Sequence, residues 1–119
     1  MCRAAVRSLF APIMPQAPGH TLVVPKAPSR NILDAEPATL SRLMPIVQKI
    51  AIAAKSAFAA DGIRIVQFNE TPAGQTVFHL HVHVIPMRDG QRLGHHGGRT
   101  EDHAVLAAHA EKLRAALAG

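Results

Sequence analysis

The sequence predicts a single α+β domain in which an antiparallel sheet is covered on one face by a long helix. Its 119 residues fit one domain, and 48% hydrophobic against 18% charged residues allows a buried core. No Trp or Tyr accompanies the four Phe, so that core is expected to be aliphatic. Apolar residues at helical spacing fill a central segment, 31–61, and short strand-like runs flank it, an arrangement typical of α+β folds.

The first strand is predicted at His20–Val24. The turn signal Pro18-Gly19 precedes this apolar run, and Pro25 ends it.

The central segment is predicted to form one long amphipathic helix. Asp34 and Pro37 both suit a first helical turn. A stop is signalled by Asp61-Gly62, and Pro45 is expected to kink the helix or to mark a later start. The apolar face consists of Leu40, Leu43, Met44, Val47, Ile50 and Ala54. Core packing is sufficient to explain such a face.

Two more strands and a second helix complete the prediction. The strands are expected at Ile63–Gln67 and Val77–Ile85, and turn-forming residues place a loop at 69–74 between them. An Ala-rich amphipathic segment, Glu101–Leu117, is predicted to be a terminal helix.

Composition narrows the functional classes. A single cysteine excludes an internal disulfide or a thiolate zinc cluster and favours the reducing cytoplasm. No apolar run has the length of a membrane span, and Met1–Phe10 lacks the hydrophobic stretch of a signal peptide. The net charge of +5 indicates an anionic partner, which at this point is a nucleic acid, a membrane surface or a phosphorylated small molecule.

Three histidines alternate with aliphatic residues near the end of the third predicted strand. Because strand side chains repeat every two residues, His79, His81 and His83 are expected to line one face of it. Two chemistries use imidazoles at this spacing. One is a metal site, and the other is nucleophilic and acid–base catalysis by a neutral imidazole.

The flanking residues favour the second chemistry. Gly74-Gln75-Thr76 supplies a flexible turn, an amide and a hydroxyl, which can donate hydrogen bonds to an oxyanion. No Asp or Glu lies between Glu70 and Asp89, so a mixed histidine and carboxylate metal site needs ligands from elsewhere. Chemistry at a phosphate is therefore the preferred interpretation.

The stretch from Gly74 to Pro86 resembles the signature of the histidine triad (HIT) superfamily of nucleotide-binding proteins. The resemblance extends upstream to 15–26 and to 31–34, and it is strongest to the branch of small nucleoside phosphoramidases and dinucleotide hydrolases. It implies a HIT-like fold with an antiparallel sheet of about five strands, one long helix and a C-terminal helix. The whole chain, 1–119, is expected to be one such domain with a shorter N-terminal segment, lacking the N-terminal helix and strand common in relatives.

The resemblance also implies a reaction at the α-phosphorus of a nucleotide. His81 would attack that phosphorus and form a transient nucleotidyl-histidine that water hydrolyses. By the family pattern His83 lies near the leaving group, and His79 orients the nucleophile. The substrate-binding positions implied in the same way are Asn69, Gln75, Thr76 and Val77.

Three positions qualify the resemblance. Pro12 stands where the family usually has an acidic residue that holds the ribose hydroxyls, and proline cannot make those hydrogen bonds. Cys2 alone cannot restore the paired cysteines with which some relatives bind zinc. His20 lies near the site in relatives, and it is expected either there or as a hydrogen-bonded structural histidine.

The leading hypothesis is an enzyme, a nucleotidyl hydrolase or transferase of the histidine triad type that needs no cofactor or metal. Its partner is a purine nucleotide or a nucleoside–phosphate conjugate, and by resemblance the chain forms a homodimer in the cytoplasm. The alternatives are a catalytically weak nucleotide-binding module and a zinc protein that uses the three histidines. A nucleic-acid or membrane partner is not expected, because the basic residues are scattered and no aromatic stacking platform lies among them.

Overall fold

The computed structural model describes residues 6–10, 17–90 and 103–118. The elements in chain order are the strands β1 (Val6–Phe10) and β2 (Thr21–Pro25), helix α1 (Pro37–Ala57), strand β3 (Gly62–Val66), a single 3₁₀ turn (Thr71–Ala73), strand β4 (Val82–Met87) and helix α2 (His103–Ala118). The strands form one antiparallel sheet of order β1-β2-β4-β3. The predicted α+β class is therefore confirmed.

Strand β4 lies inside the sheet, between β2 and β3. Its His83 is opposite Leu22 of β2 on one side and opposite Val66 of β3 on the other. A residue held by two neighbouring strands has a fixed backbone position. The start of β4 is therefore a rigid point from which to present side chains.

The sheet differs from the expectation at its other edge. The described residues contain four strands, and the expected count of about five is not confirmed. Strand β1, which pairs with β2 from Val6 to Phe10, lies where the sequence predicted no strand. The segment VRSLF has neither strict alternation nor a continuous apolar run, so the pattern gave no strand signal there.

Helix α1 covers the sheet. It begins at Pro37, the second of the two predicted start signals, and not at Asp34. Its buried Leu43, Val47 and Ile50 join Val23 and Val84 of the sheet in the main core cluster. This cluster is aliphatic except for Phe58. Helix α2 packs on α1 and adds Leu113 to the same core.

Three details of the α1 prediction are corrected. Met44 is 51% exposed and does not belong to the core face. The helix runs through Pro45 from Pro37, so Pro45 does not mark a later start, and it ends at Ala57, before the Asp61-Gly62 signal. Phe58 caps the helix by bonding its backbone N–H to the Ala54 carbonyl.

The turn before β2 requires a glycine. Gly19 has a φ of +84°, and a Cβ there would lie 2.6 Å from Cδ2 of the buried Phe58. Close approach of the turn to the end of α1 therefore selects the residue without a side chain.

Neither α1 nor the described part of α2 is long and apolar enough to cross a membrane.

Candidate active site

The three alternating histidines do not all lie on one strand. Residues 77–79 form a bend, and β4 starts only at Val82. His79 therefore lies in the bend, His81 just before the strand and His83 within it. The predicted strand Val77–Ile85 is wrong in its first part, and so is the prediction that His79 shares a strand face with the other two.

His81 is held by the backbone of the bend. Its Nδ1 lies 2.7 Å from the carbonyl oxygen of His79. A carbonyl oxygen only accepts hydrogen bonds, so Nδ1 of His81 must carry the proton. In the neutral ring, Nε2 then carries the lone pair. The ring is partly exposed, which suits a nucleophile that must meet a substrate.

His83 lies beside His81 and is buried. The two ring centroids are 5.0 Å apart, and the rings are tilted by 64°. The ring of Phe68 meets His83 edge to face at 5.8 Å. His83 therefore has an apolar wall on one side and the His81 ring on another.

A fourth histidine completes this cluster. Nε2 of His20 lies 2.8 Å from Nδ1 of His83, and the side chains are 2% and 5% exposed. One of these two nitrogens donates the shared proton and the other accepts it, so each ring restricts the tautomer of the other. His20 therefore lies at the site and is also a buried, hydrogen-bonded histidine, so the two expected roles coincide.

His79 is fixed from the other direction. Its Nε2 donates to the carbonyl oxygen of Pro25, at the end of β2, over 3.3 Å. Next to it, the N–H of Leu80 donates to the Ser29 carbonyl over 2.9 Å. The bend is therefore tied to the segment that follows β2.

The other predicted site residues surround this bend. Thr76 and Val77 are exposed on its approach. Gln75, in contrast, is buried, and Asn69 is partly buried. Oδ1 of Asn69 accepts the Ile32 N–H at 2.9 Å, and its amide pairs with that of Gln67. The Gln75 side chain is likewise bonded to protein groups, among them the Arg30 and Val77 carbonyls.

An ion pair between Arg30 and Glu70 lies on the outer side of the loop at 69–74. Glu70 accepts two hydrogen bonds from the Arg30 guanidinium, at 2.9 and 3.0 Å, and one from the Asn31 amide. The guanidinium first, and then the amide, lower the pKa of Glu70. Glu70 also has a φ of +76°, an unusual conformation for a residue with a side chain. Such a conformation persists where surrounding contacts hold it.

The described residues do not form a metal-binding site. No group of three or more His, Cys, Asp or Glu side chains among them is arranged to hold a metal ion. His79, His81 and His83 each direct one ring nitrogen to a protein group instead.

Comparison with known proteins places this site in a family. A model of the HIT domain matches residues 4–90. The chain belongs to the HIT domain family. A Hit-like protein from Bartonella henselae has a solved structure that is 52% identical, with a TM-score of 0.84, over 91% of this chain and 78% of that chain.

Two further HIT relatives carry more specific descriptions. The structure of a hypothetical histidine triad nucleotide-binding protein from Sulfolobus tokodaii is 30% identical, with a TM-score of 0.83, over 92% of this chain and 76% of that chain. An asymmetrical bis(5'-nucleosyl)-tetraphosphatase from Schizosaccharomyces pombe is 34% identical over 86 residues, 72% of this chain and 47% of that protein. The chain spans about half the length of the curated relatives it matches.

Sequence reasoning left two residues of this HIT site out of the predicted set. His20 was recognised only as a candidate, because a lone histidine before a strand gives no sign of its partner. Asn31 lies in a stretch that carries the family resemblance, yet its contact with Gln75 joins residues 44 positions apart, which no local pattern reveals. Pro12, which the resemblance places at the usual position of a ribose-binding acid, lies outside the described residues.

Proposed function

We propose that the chain is a nucleotidyl hydrolase or transferase of the histidine triad type. It acts at the α-phosphorus of a nucleoside phosphoramidate or a dinucleoside polyphosphate, with His81 as the nucleophile. The observation that carries the proposal is the bond from Nδ1 of His81 to the His79 carbonyl, which leaves a lone pair on Nε2 of a partly exposed ring.

The reaction proceeds in two displacements. Nε2 of His81 forms a bond to the α-phosphorus, and the bond from phosphorus to the leaving nitrogen or oxygen breaks. A leaving nitrogen takes that electron pair and a proton, which the neighbouring His83 or solvent supplies, whereas a leaving phosphate oxygen keeps the pair as an anion. Water then displaces Nε2 from phosphorus, and the nucleotide leaves with the hydroxyl. The remaining proton restores the donor, or passes to solvent where no donor was used.

The surroundings of His81 support this assignment. His79 orients the nucleophile through its carbonyl, and the ring of His83 lies at 5.0 Å from that of His81. Thr76 just before the bend and Val77 at its start are exposed, where a hydroxyl and a backbone N–H suit the phosphoryl oxygens. Such prepositioned donors commonly supply the largest part of the stabilisation in phosphoryl transfer.

The related proteins support the class of ligand. One is described as nucleotide-binding and another as a dinucleoside tetraphosphatase. A purine nucleotide or a nucleoside–phosphate conjugate also agrees with the net charge of +5. We extend the proposal to action without a cofactor, since each step above uses protein groups and water, and to the cytoplasm, which a single cysteine favours.

The decisive experiment replaces the nucleophile. His81→Ala and His81→Gly should abolish hydrolysis of adenosine phosphoramidate and of dinucleoside polyphosphates, because both substitutions remove the attacking Nε2. Mass spectrometry of wild-type protein quenched during turnover should find a nucleotidyl adduct on the peptide that contains His81. His109→Ala, a histidine on α2, is the matched control and should retain activity. Undiminished turnover by both His81 variants would refute the proposal.

Pro12 favours a second candidate, a nucleotide-binding module without significant catalysis. A chain that lacks the ribose-binding carboxylate can retain phosphate contacts yet position the substrate poorly. Calorimetry with AMP and GMP distinguishes the two candidates. Binding with no product, even after prolonged incubation, supports the module, whereas product released in excess of protein rules it out.

A further inference from the structure

A short segment after β2 lies across the bend that carries His79. We call residues 29–31 the strap. Its Ser29 carbonyl accepts the Leu80 N–H at 2.9 Å, and its Arg30 carbonyl accepts Nε2 of Gln75 at 2.8 Å. These two bonds flank the bend at 77–79 on either side. The strap therefore fixes both ends of the bend.

The inner part of this connection is a buried pair of amides. Asn31 is 1% exposed and Gln75 is 3% exposed. Nδ2 of Asn31 donates to Oε1 of Gln75 at 2.9 Å and to Oε2 of Glu70 at 2.6 Å. The N–H of Glu70 also donates to Oε1 of Gln75, at 2.8 Å. Two loops that are distant in sequence thus meet at one buried hydrogen-bond network.

The hydrogen-bonding capacity of the Gln75 side chain is fully used within the protein. A primary amide has two N–H donors and one oxygen that accepts two bonds. Nε2 donates to the carbonyls of Arg30 and Val77, at 2.8 and 3.0 Å. Oε1 accepts from Asn31 and Glu70. No donor of this side chain remains for a phosphoryl oxygen.

We propose that Asn31 and Gln75 are positioning residues, which hold the bend so that the His79 carbonyl keeps the proton of His81 on Nδ1. The proposal rests on the assignment of His81 as the nucleophile and replaces the predicted substrate contact of the Gln75 side chain. Gln75 fixes the Val77 carbonyl and Ser29 fixes the Leu80 N–H. The His79 carbonyl lies between these points and sets the ring of His81.

This path explains why two buried amides matter to a reaction that they do not touch. Displacement of the bend moves the His79 carbonyl, so the His81 ring loses its fixed orientation and its single tautomer. A misplacement of about 1 Å costs about 10²-fold in rate in well-oriented reactions. Burial of the amides strengthens the constraint, because an unmet polar group there is costly.

The test uses isosteric variants. Asn31→Asp and Gln75→Glu keep the shape of the side chain but replace its N–H donors by an oxygen. In Asn31→Asp the new oxygen faces the Glu70 carboxylate, and in Gln75→Glu it faces the Arg30 carbonyl. We expect each to lower kcat by about 10- to 100-fold, with the Kd for AMP, measured by calorimetry, changed by less than about threefold. The double variant should be no slower than the slower single variant, because both break one network. Ala108→Glu, exposed on α2, adds the same charge and should match wild type.

A direct substrate contact predicts a different pattern. If the Gln75 amide binds phosphate, Gln75→Glu should weaken AMP binding strongly while Asn31→Asp leaves it unchanged, and the effects on kcat/KM should multiply. That pattern would overturn the positioning role.

A second readout does not depend on activity. The ¹⁵N NMR signals of the His81 ring, recorded at mildly alkaline pH, should show the proton on Nδ1 in wild type and a mixture of tautomers in both variants. An unchanged tautomer in both would contradict the proposal. A wild-type protein without turnover would defeat the proposed function but leave this measurement intact. Asn31→Ala removes the same donors without adding charge and gives the same readout where Asn31→Asp does not fold.

Discussion

His83 is enclosed by three rings, and each has a separate physical effect. The ring of His20 bonds to its Nδ1 at 2.8 Å, the ring of His81 lies beside it, and that of Phe68 meets it edge to face. The hydrogen bond between these two buried imidazoles contains one proton, which one ring donates and the other accepts. The tautomer of His83, and hence whether its Nε2 carries a proton, is therefore tied to His20.

This pairing leads to a prediction for His20. His20→Leu removes the hydrogen bond to Nδ1 of His83 and should lower the free energy of unfolding by about 1–3 kcal/mol, the usual cost of losing a buried partner. It should also reduce kcat and alter the pH profile of kcat. A positioned proton-transfer group contributes about 10²- to 10⁴-fold, and we expect the loss of part of that.

His20→Gln supplies the matched control, because an amide can donate or accept at a similar distance. It should recover much of the stability and activity that His20→Leu loses. Equal kcat values and equal pH profiles for wild type and His20→Leu would show that His20 only fills space. Urea unfolding and initial-rate kinetics provide the two measurements.

At the scale of elements, sequence patterns predicted the elements whose ends depend on neighbouring residues alone. The strand after Pro18-Gly19 and the start of α1 at Pro37 follow from turn chemistry and helical spacing, and both are confirmed. The alternation of His81 and His83 is also real at the start of β4. Period-two spacing requires only the sequence, so it is visible without the fold.

The bend at 77–79 was not predictable in the same way. Its sequence continues the alternation, yet the Leu80 N–H bonds to Ser29 and the Val77 carbonyl bonds to Gln75, so neither joins a strand ladder. Ser29 is distant along the chain from Leu80, and Gln75, two residues before Val77, is itself bonded to the Arg30 carbonyl 45 positions away. These long-range contacts override the local strand preference. Met44 was misassigned for a related reason, since helical spacing does not define where the buried stripe ends.

The strap and the loop of Glu70 are also joined by charge, which makes them sensitive to pH. The guanidinium of Arg30 and then the amide of Asn31 lower the pKa of Glu70. The backbone N–H groups of Asn31 and then of Arg30 lower the pKa of Asp34. A carboxyl group whose pKa falls on folding stabilises the fold above its unfolded pKa, and this contribution is lost as the pH falls through the folded value.

Acid should therefore loosen the connection between strap and loop. We expect the Tm to fall between about pH 5 and pH 3, and we expect Glu70→Gln to reduce the slope of that fall. Glu111→Gln breaks an exposed Glu–Arg pair on α2 and should leave the slope close to that of wild type. Differential scanning fluorimetry across this range provides the measurement, and identical slopes for wild type and Glu70→Gln would contradict the prediction.

At the scale of the whole molecule, apolar side chains remain exposed in one chain. Met44 and Ile52 of α1 are 51% and 66% exposed, and Ile65 of β3 is 42% exposed. Strand β3 also ends the order of the described sheet, so its outer edge is open to pairing. We propose that a second copy of the chain covers these residues, in a homodimer that joins helices and sheet edges.

The oligomeric state tests this proposal directly. Size-exclusion chromatography with light scattering should give twice the mass of one chain at micromolar concentration. Ile52→Glu should shift the population towards monomer, because it places a charge in a contact that excludes water. Lys55→Glu also adds a negative charge to the exposed surface of α1 but replaces a polar side chain, so the dimer should persist. A monomeric wild type, or a dimer that Ile52→Glu leaves intact at every concentration, would mean that this face of α1 is not the contact.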